Sequence, residues 1–213
     1  MKIYTMWTDS HEKLYKDFFL KYLPSELELV SIKEQQDCPT GEFNSDGWGK
    51  SLERKLDIIL KAINENQGDY FIYSDCDVQF FGNIKNELIL ELADNDIACQ
   101  HDTSGYFCAG FFICRANENT KKLFQSIKDN YDMYINSPTG DQEGLNNRIG
   151  MVKNKLLSNR FWTVAMELHN RWTGQDFKID KSILMHHANW VVGIDEKYKL
   201  LKIVREKYKV LNG

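Results

Sequence analysis

The stretch YFIYSDCDVQ, residues 70–79, sets the tightest limit on what this chain can fold into. Tyr70–Ser74 lacks the apolar–polar alternation of a strand with one wet face. It reads as a strand buried on both faces, the kind found inside a parallel sheet. It runs straight into Asp75 and Asp77, and apolar residues resume with Val78, Phe80 and Phe81. Side chains two apart on extended backbone share a face. Two carboxylates placed so repel each other, and loss of water raises the proton affinity of at least one. A divalent cation removes the conflict, and hard oxygen ligands suit Mn2+ or Mg2+ held together with substrate phosphates. A solvated turn after the strand is the other reading, since aspartate is common there. The apolar flanks favour the metal site.

The rest of the chain supplies partners for such a strand. Lys2–Trp7 reads as a first strand, with Asp9 or Ser10 placed to cap a helix that buries Leu14, Phe18, Phe19 and Tyr22 and stops before Pro24. Leu27–Ile32 is a second strand, and Cys38–Gly49 a loop rich in turn residues. Leu52, Leu56, Ile59, Leu60 and Ile63 recur at helical spacing, with Gly68 suited to closing that helix. Ile97–Gln100, Tyr106–Arg115 and Ile183–His187 read as strands. Asn117–Tyr134 and Gly140–Met151 read as helices, and Glu196–Lys207 as a lysine-rich amphipathic helix or extended arm. Strand and helix alternate through the first half, which predicts one α/β domain over residues 1–213 with a mostly parallel central sheet flanked by helices. In such sheets ligands bind beyond the carboxyl ends of the strands. Thr5–Asp9 and Asp75–Asp77 are the polar strand ends that qualify.

Composition closes off several alternatives. The net charge of −4 gives no basic stripe for nucleic acid. No apolar run is long enough to cross a membrane, and the N-terminus turns polar too early for a signal peptide, so a soluble cytoplasmic protein is expected. Cys38, Cys76, Cys99, Cys108 and Cys114 are an odd set without CxxC spacing, which predicts buried free thiols in a reducing compartment. GxGxxG, GxxxxGK[ST] and GxSxG are all missing.

Other groups can complete a site. His186-His187-Ala188-Asn189-Trp190 ends a predicted strand, and one of its two histidines can face the aspartates as a further metal ligand, the other reading being a strand-end histidine packed among aromatics. Gly193 permits close backbone approach, and Lys197 can meet a phosphate or lie on a solvated helix. Thr139-Gly140-Asp141-Gln142 is turn chemistry at a helix start by spacing alone; in a cleft, Asp141 and Gln142 could hold a sugar hydroxyl. Arg54 and Lys55 read as solvated helix charges, with a basic spot near a nucleotide as the alternative. Trp162, Trp172 and Trp190 are candidates for an acceptor platform.

In this order the motifs KIYTMWTD, YSDCDV, CAGFFICR with Gly110, GDQEGLN and HANWVVGIDEK resemble the GT-A fold, DxD-containing nucleotide-diphospho-sugar glycosyltransferases, over nearly the whole chain. In length and compactness the chain also resembles the small glycosyltransferase domain encoded by large chlorella viruses, for which a host cytoplasm would be expected. The resemblance implies a single Rossmann-like domain. Residues up to about 115 would form the nucleotide-binding half, and about 116–213 the acceptor-binding half with a C-terminal segment. It implies Asp75 at the ribose and metal, Asp77 and His187 on the metal, and Gly193 and Lys197 on the diphosphate. Thr5, Trp7 and Thr8 would line the base pocket, Asp141 and Gln142 would face the transferred sugar or acceptor, and Arg54 would lie near the donor. Cys108-Ala109 stands before Gly110 where relatives often carry Asn-Ser or Asn-Thr, which weakens any inference about the donor sugar.

The function so implied is Mn2+- or Mg2+-dependent transfer of a hexosyl or deoxyhexosyl group from a UDP-sugar to a glycan hydroxyl, with retention. A sugar nucleotidyltransferase is the rival enzyme, although the first turn lacks the glycine-rich basic loop that cradles a triphosphate. A non-catalytic carbohydrate- or nucleotide-binding domain of the same fold is the rival outside enzymes.

Overall fold

The computed structural model describes residues 1–137 and 139–213. β1 (Lys2–Trp7) leads through a helical segment centred on the single turn α1 (Glu12–Leu14) to β2 (Glu28–Lys33) and the long helix α2 (Trp48–Glu65). β3 (Tyr70–Ser74), β4 (Val78–Phe80), α3 (Lys85–Leu92), β5 (Ile97–His101) and β6 (Phe107–Arg115) come next. The second half holds α4 (Glu118–Asp129), α5 (Gly140–Arg148), β7 (Asn154–Leu156), β8 (Phe161–Trp162), α6 (Val164–Leu168), β9 (Met185–His187) and α7 (Ile194–Asn212).

The main sheet has the order β2-β1-β3-β6-β5-β7. β6 runs antiparallel to both β3 and β5, and the other pairings are parallel. The sheet is therefore mainly parallel, with one reversed strand beside its centre. Alternate residues of β3 feed two cores. Phe71 and Tyr73 pack with Leu56 and Ile59 of α2 and with Leu123 and Phe124 of α4. Ile72 packs on the opposite side with Phe19, Leu88, Phe111 and Phe161. Phe71, Ile72 and Tyr73 are each fully buried, which is worth about 1.5–3 kcal/mol apiece for Phe71 and Ile72. The continuous apolar run of this strand thus has its physical cause.

A second, three-stranded sheet of order β4-β9-β8 abuts the first. The chain reaches it by crossing at Asp75–Asp77. β4 and β9 are antiparallel with Val78 opposite His187, and Ala188 N–H donates to the Asp77 carbonyl at 3.0 Å. A third core beneath α7 gathers Leu14, Phe18, Trp162, Trp172, Leu200 and Val204.

Local expectations needed three corrections. Thr8, not Asp9 or Ser10, precedes the first helical turn, and it makes no side-chain cap; Asp9 pairs with Lys33 at 2.6 Å. That segment then widens into a π-helical stretch over Tyr15–Leu20. β4, α3, β7, β8 and α6 were unmarked in the sequence because each is too short for periodicity to show. The caps at Asn117 and near Gly68 arise from side-chain and backbone chemistry. Asn117 and Thr120 form a reciprocal capping box, and Gly68 takes φ +82° just past α2.

Candidate active site

Asp75, Asp77 and His187 each offer a ligand atom, all within 4.8 Å of one another. His187 Nε2 lies 3.2 Å from Asp77 Oδ1 and 4.0 Å from Asp75 Oδ2. The open choice between the two histidines is resolved by strand alternation. His187 faces the aspartates, whereas His186 points into the core against Trp162 and Gln79. Burial lowers the His186 pKa to about 3, with His187 adding to the effect.

Gln100 fixes the orientation of His187. Its Nε2 donates to the Trp162 carbonyl at 3.1 Å, which leaves Oε1 to accept from His187 Nδ1 at 2.9 Å. The imidazole Nε2 is then directed at the carboxylates, the arrangement that holds metal-binding histidines in place. Gly110 on β6 forms the floor. Its carbonyl accepts from Asp75 N–H at 2.7 Å. A Cβ at Gly110 would sit 2.5 Å from both Asp75 Oδ2 and His187 Cε1. The glycine is needed for close approach rather than for its backbone freedom.

The charges around this cluster are paired. Burial alone would lower the His187 pKa, but the Asp77 carboxylate outweighs it and raises it to about 10. Burial alone would raise Asp77, but Lys197 and His187 hold it well below the usual carboxylate range. Lys197 Nζ sits 2.6 Å from Asp77 Oδ2. Burial, with the two aspartates, pushes the Cys76 thiol well up, so it is no thiolate ligand. Two carboxylates and an imidazole are a donor set suited to Mn2+ or Mg2+, and the missing side chain at Gly110 lets Asp75 and His187 converge there.

Lys55 is the residue the sequence reading misplaced. It is 3% exposed and bridges Asp75 Oδ1 at 3.1 Å and Asp141 Oδ2 at 2.9 Å. Burial would lower its pKa, but Asp141 and Asp75 raise it well above the ordinary lysine value. The Asp141 carboxyl stays raised, because burial outweighs Lys55. Arg54 turns the other way, to Asp37 at 2.7 Å and Glu34 at 3.3 Å, and does not join the cleft. Lys55 lies three residues after Leu52 and four before Ile59, on the apolar stripe itself. A lysine on that stripe was the available signal.

These groups open into a cleft of about 410 Å³. Its lining includes Trp7, Thr8, His11 and Gln36 from the first half of the chain, and Gln142, Asn189 and Trp190 from the second. Trp7 stacks on Tyr15 at 4.8 Å and donates its indole N–H to Ser31 at 2.9 Å, so its ring is held. Burial, with Lys197 nearby, lowers the His11 pKa to about 4. Thr5 is fully buried in β1 behind this wall and does not line it. Gly193, at φ +94°, precedes α7 and is likewise outside the lining. Trp162 and Trp172 are core residues, which leaves Trp190 as the aromatic of the three in the main cleft. All five cysteines are free and buried. Among the described residues no helix is long and apolar enough to cross a membrane.

Comparison with solved structures gives the same overall architecture at low identity. The glycosyltransferase GlyE of Streptococcus pneumoniae TIGR4 matches with a TM-score of 0.54 and 16% identity, over 75% of this chain and 45% of that one. The chain thus spans less than half the length of GlyE. The galactosyltransferase LgtC, in complex with donor and acceptor sugar analogs, matches with a TM-score of 0.51 and 13% identity over 95% of each chain. A glycosyltransferase involved in glycosylation of the major capsid of PBCV-1 matches with a TM-score of 0.62 and 12% identity, over 95% of this chain and 98% of that one. The arrangement is that of the GT-A glycosyltransferases. No protein of curated function matches by sequence. The nucleotide-diphospho-sugar transferase family model matches residues 27–201, and the chain belongs to that family.

Proposed function

We propose that this protein transfers a glycosyl group from a nucleoside-diphosphate sugar, a UDP-sugar, to a glycan hydroxyl with retention of configuration, using Mn2+ or Mg2+. The observation that carries the reading is the meeting of Asp75, Asp77 and His187 inside the cleft of a chain of this family. Asp75, Asp77 and His187 would hold the cation. When bound, it supplies Lewis-acid stabilisation of the departing diphosphate.

The chain's own groups account for the remaining demands. Trp7 and Thr8 wall the end of the cleft where the base fits, with Thr5 behind them. Lys197, now on Asp77, can exchange that carboxylate for a phosphate oxygen near the α7 N-terminus, where Gly193 lets the backbone approach. Lys55 offsets part of the charge that Asp75 and Asp141 bring to the cleft they share with Asp77. Asp141 and Gln142 lie on the side where the sugar would sit. The Gln142 amide oxygen can face the carbon that gains positive charge as the diphosphate leaves. Trp190 and Arg171 border the space left for the acceptor. On this reading the nucleotide-binding half ends near residue 115, and the acceptor side is built from the remainder of the chain.

The test is donor hydrolysis and transfer across a panel of UDP- and GDP-sugars, with and without Mn2+, in the wild type and in Asp75→Ala and Asp77→Ala. Turnover that needs the cation and falls roughly a thousandfold in both variants is expected, the several kcal/mol of Lewis-acid stabilisation. Full activity in EDTA overturns the metal role. Pyrophosphate release from UTP and a sugar phosphate overturns glycosyl transfer in favour of nucleotidyl transfer.

A further inference from the structure

Asp102 lies directly after β5 and is 1% exposed. Among the described residues no lysine, arginine or histidine lies within 4.0 Å of its carboxylate. It is held instead by three neutral donors from two distant segments. Gln142 Nε2 donates to Oδ2 at 2.7 Å, while Asn189 Nδ2 and Trp190 Nε1 donate to Oδ1 at 3.1 and 2.5 Å. All three donors line the cleft, whereas Asp102 stands behind them. Trp190 has φ +57°, a conformation strained for so bulky a residue, and such strain persists only where neighbours impose it.

We propose that Asp102 is a positioning residue for sugar transfer, one that fixes which end of the Gln142 amide faces the sugar and clamps Trp190 into the cleft wall. The inference rests on the reading that Gln142 faces the transferred sugar. A carboxylate only accepts hydrogen bonds. Any amide bonded to it must turn its NH2 inward and its oxygen away. Gln142 obeys: its Oε1 lies at the far end, 3.4 Å from Ala109 N–H, where both residues line the cleft. Asn189 does the same, with its oxygen accepting from the Thr163 hydroxyl. An amide oxygen near a carbon gaining positive charge stabilises it, and an NH2 in that place would oppose it. Asn at position 102 would offer its own NH2 to a donor, leaving one of the three bonds unmade and the Gln142 amide oriented only by the long Ala109 N–H contact.

The test compares Asp102→Asn, Gln142→Ala and the double variant. Asp102→Asn should lower kcat about a hundredfold, the cost of a misplaced reacting group. UDP affinity with Mn2+, measured by calorimetry, should stay within about twofold, because the base and metal end is not touched. The double variant should lose far less than the product of the two single losses, since Gln142 and the carboxylate that orients it act as one unit. A kcat within about twofold of wild type, a parallel loss of UDP affinity, or multiplying losses in the double variant would each overturn the proposal. A wild type without turnover would sink the proposed function instead. The Asp102 network is then read by NMR, where Asp102→Asn must shift the Trp190 indole N–H and the Gln142 side-chain amide signals. Unmoved signals overturn the inference.

Discussion

Replacing Lys55 with methionine tests the electrostatic logic of the cleft. The change keeps the length of the side chain and removes its charge. Lys55 and Asp141 are 3% and 7% exposed, so their pair is a buried one. Taking one partner from a buried pair costs about 3–5 kcal/mol, because the other charge is stranded. The Asp75 contact adds less, since that carboxylate is 35% exposed and water screens it. For a chain of this size each kcal/mol lowers the Tm by about 2–4 °C, which predicts a drop of about 6–20 °C near pH 7. The loss must also depend on pH. Burial already raises the Asp141 pKa with Lys55 present, and without the lysine it rises further. A folded-state pKa above the unfolded value means the group's contribution is fully present below the unfolded pKa and is lost as pH rises through the folded one. Lys55→Met should therefore be more destabilised at pH 8 than at pH 5 in urea unfolding. Asp141→Asn in the same chain should recover much of the loss. A variant with wild-type stability, or one with an equal deficit at both pH values, would refute the reasoning.

Gly110→Val places a side chain where Asp75 Oδ2 and His187 Cε1 now lie, so Mn2+ affinity should fall at least about tenfold. His187 is buried and held by Gln100, so the clash must displace it from the aspartates, and circular dichroism separates this local loss from unfolding; undiminished Mn2+ binding by calorimetry would contradict this. His187, with its pKa raised to about 10, carries a proton at neutral pH that a metal must displace. Mn2+ binding should therefore release about one proton, seen as an enthalpy that varies with buffer ionisation heat, and affinity should rise with pH up to about 10. The same raised pKa means the His187–Asp77 pair stabilises the metal-free fold fully below pH 6.5 and fades as pH climbs through about 10.

The fold and half of the site were legible because they rest on local rules. An apolar strand without alternation must be central, and Tyr70–Ser74 is. Two carboxylates beyond its end must meet something positive, and they meet His187, Lys55 and Lys197. The misreading of Lys55 has a simple cause. Adjacent helical residues point about 100° apart, so Arg54 is a surface charge while Lys55 falls on the apolar stripe. Gln100 and Asp102 carried a fainter signal as polar residues ending an apolar strand, the same placement that marked Asp75.

The sequence by itself determined the α/β class, the central strand, the cation-seeking pair and the late histidine, since periodicity and the energy of buried charge need only neighbours in the chain. Only the tertiary structure decided which histidine faces the pair, which of two basic neighbours enters the cleft, and why residue 110 is glycine. Those choices depend on the Val78–His187 register, the phase of α2 and the closeness of β6 to Asp75, contacts between segments 20 to more than 100 residues apart. Side-chain direction there is set by packing, which local sequence does not encode.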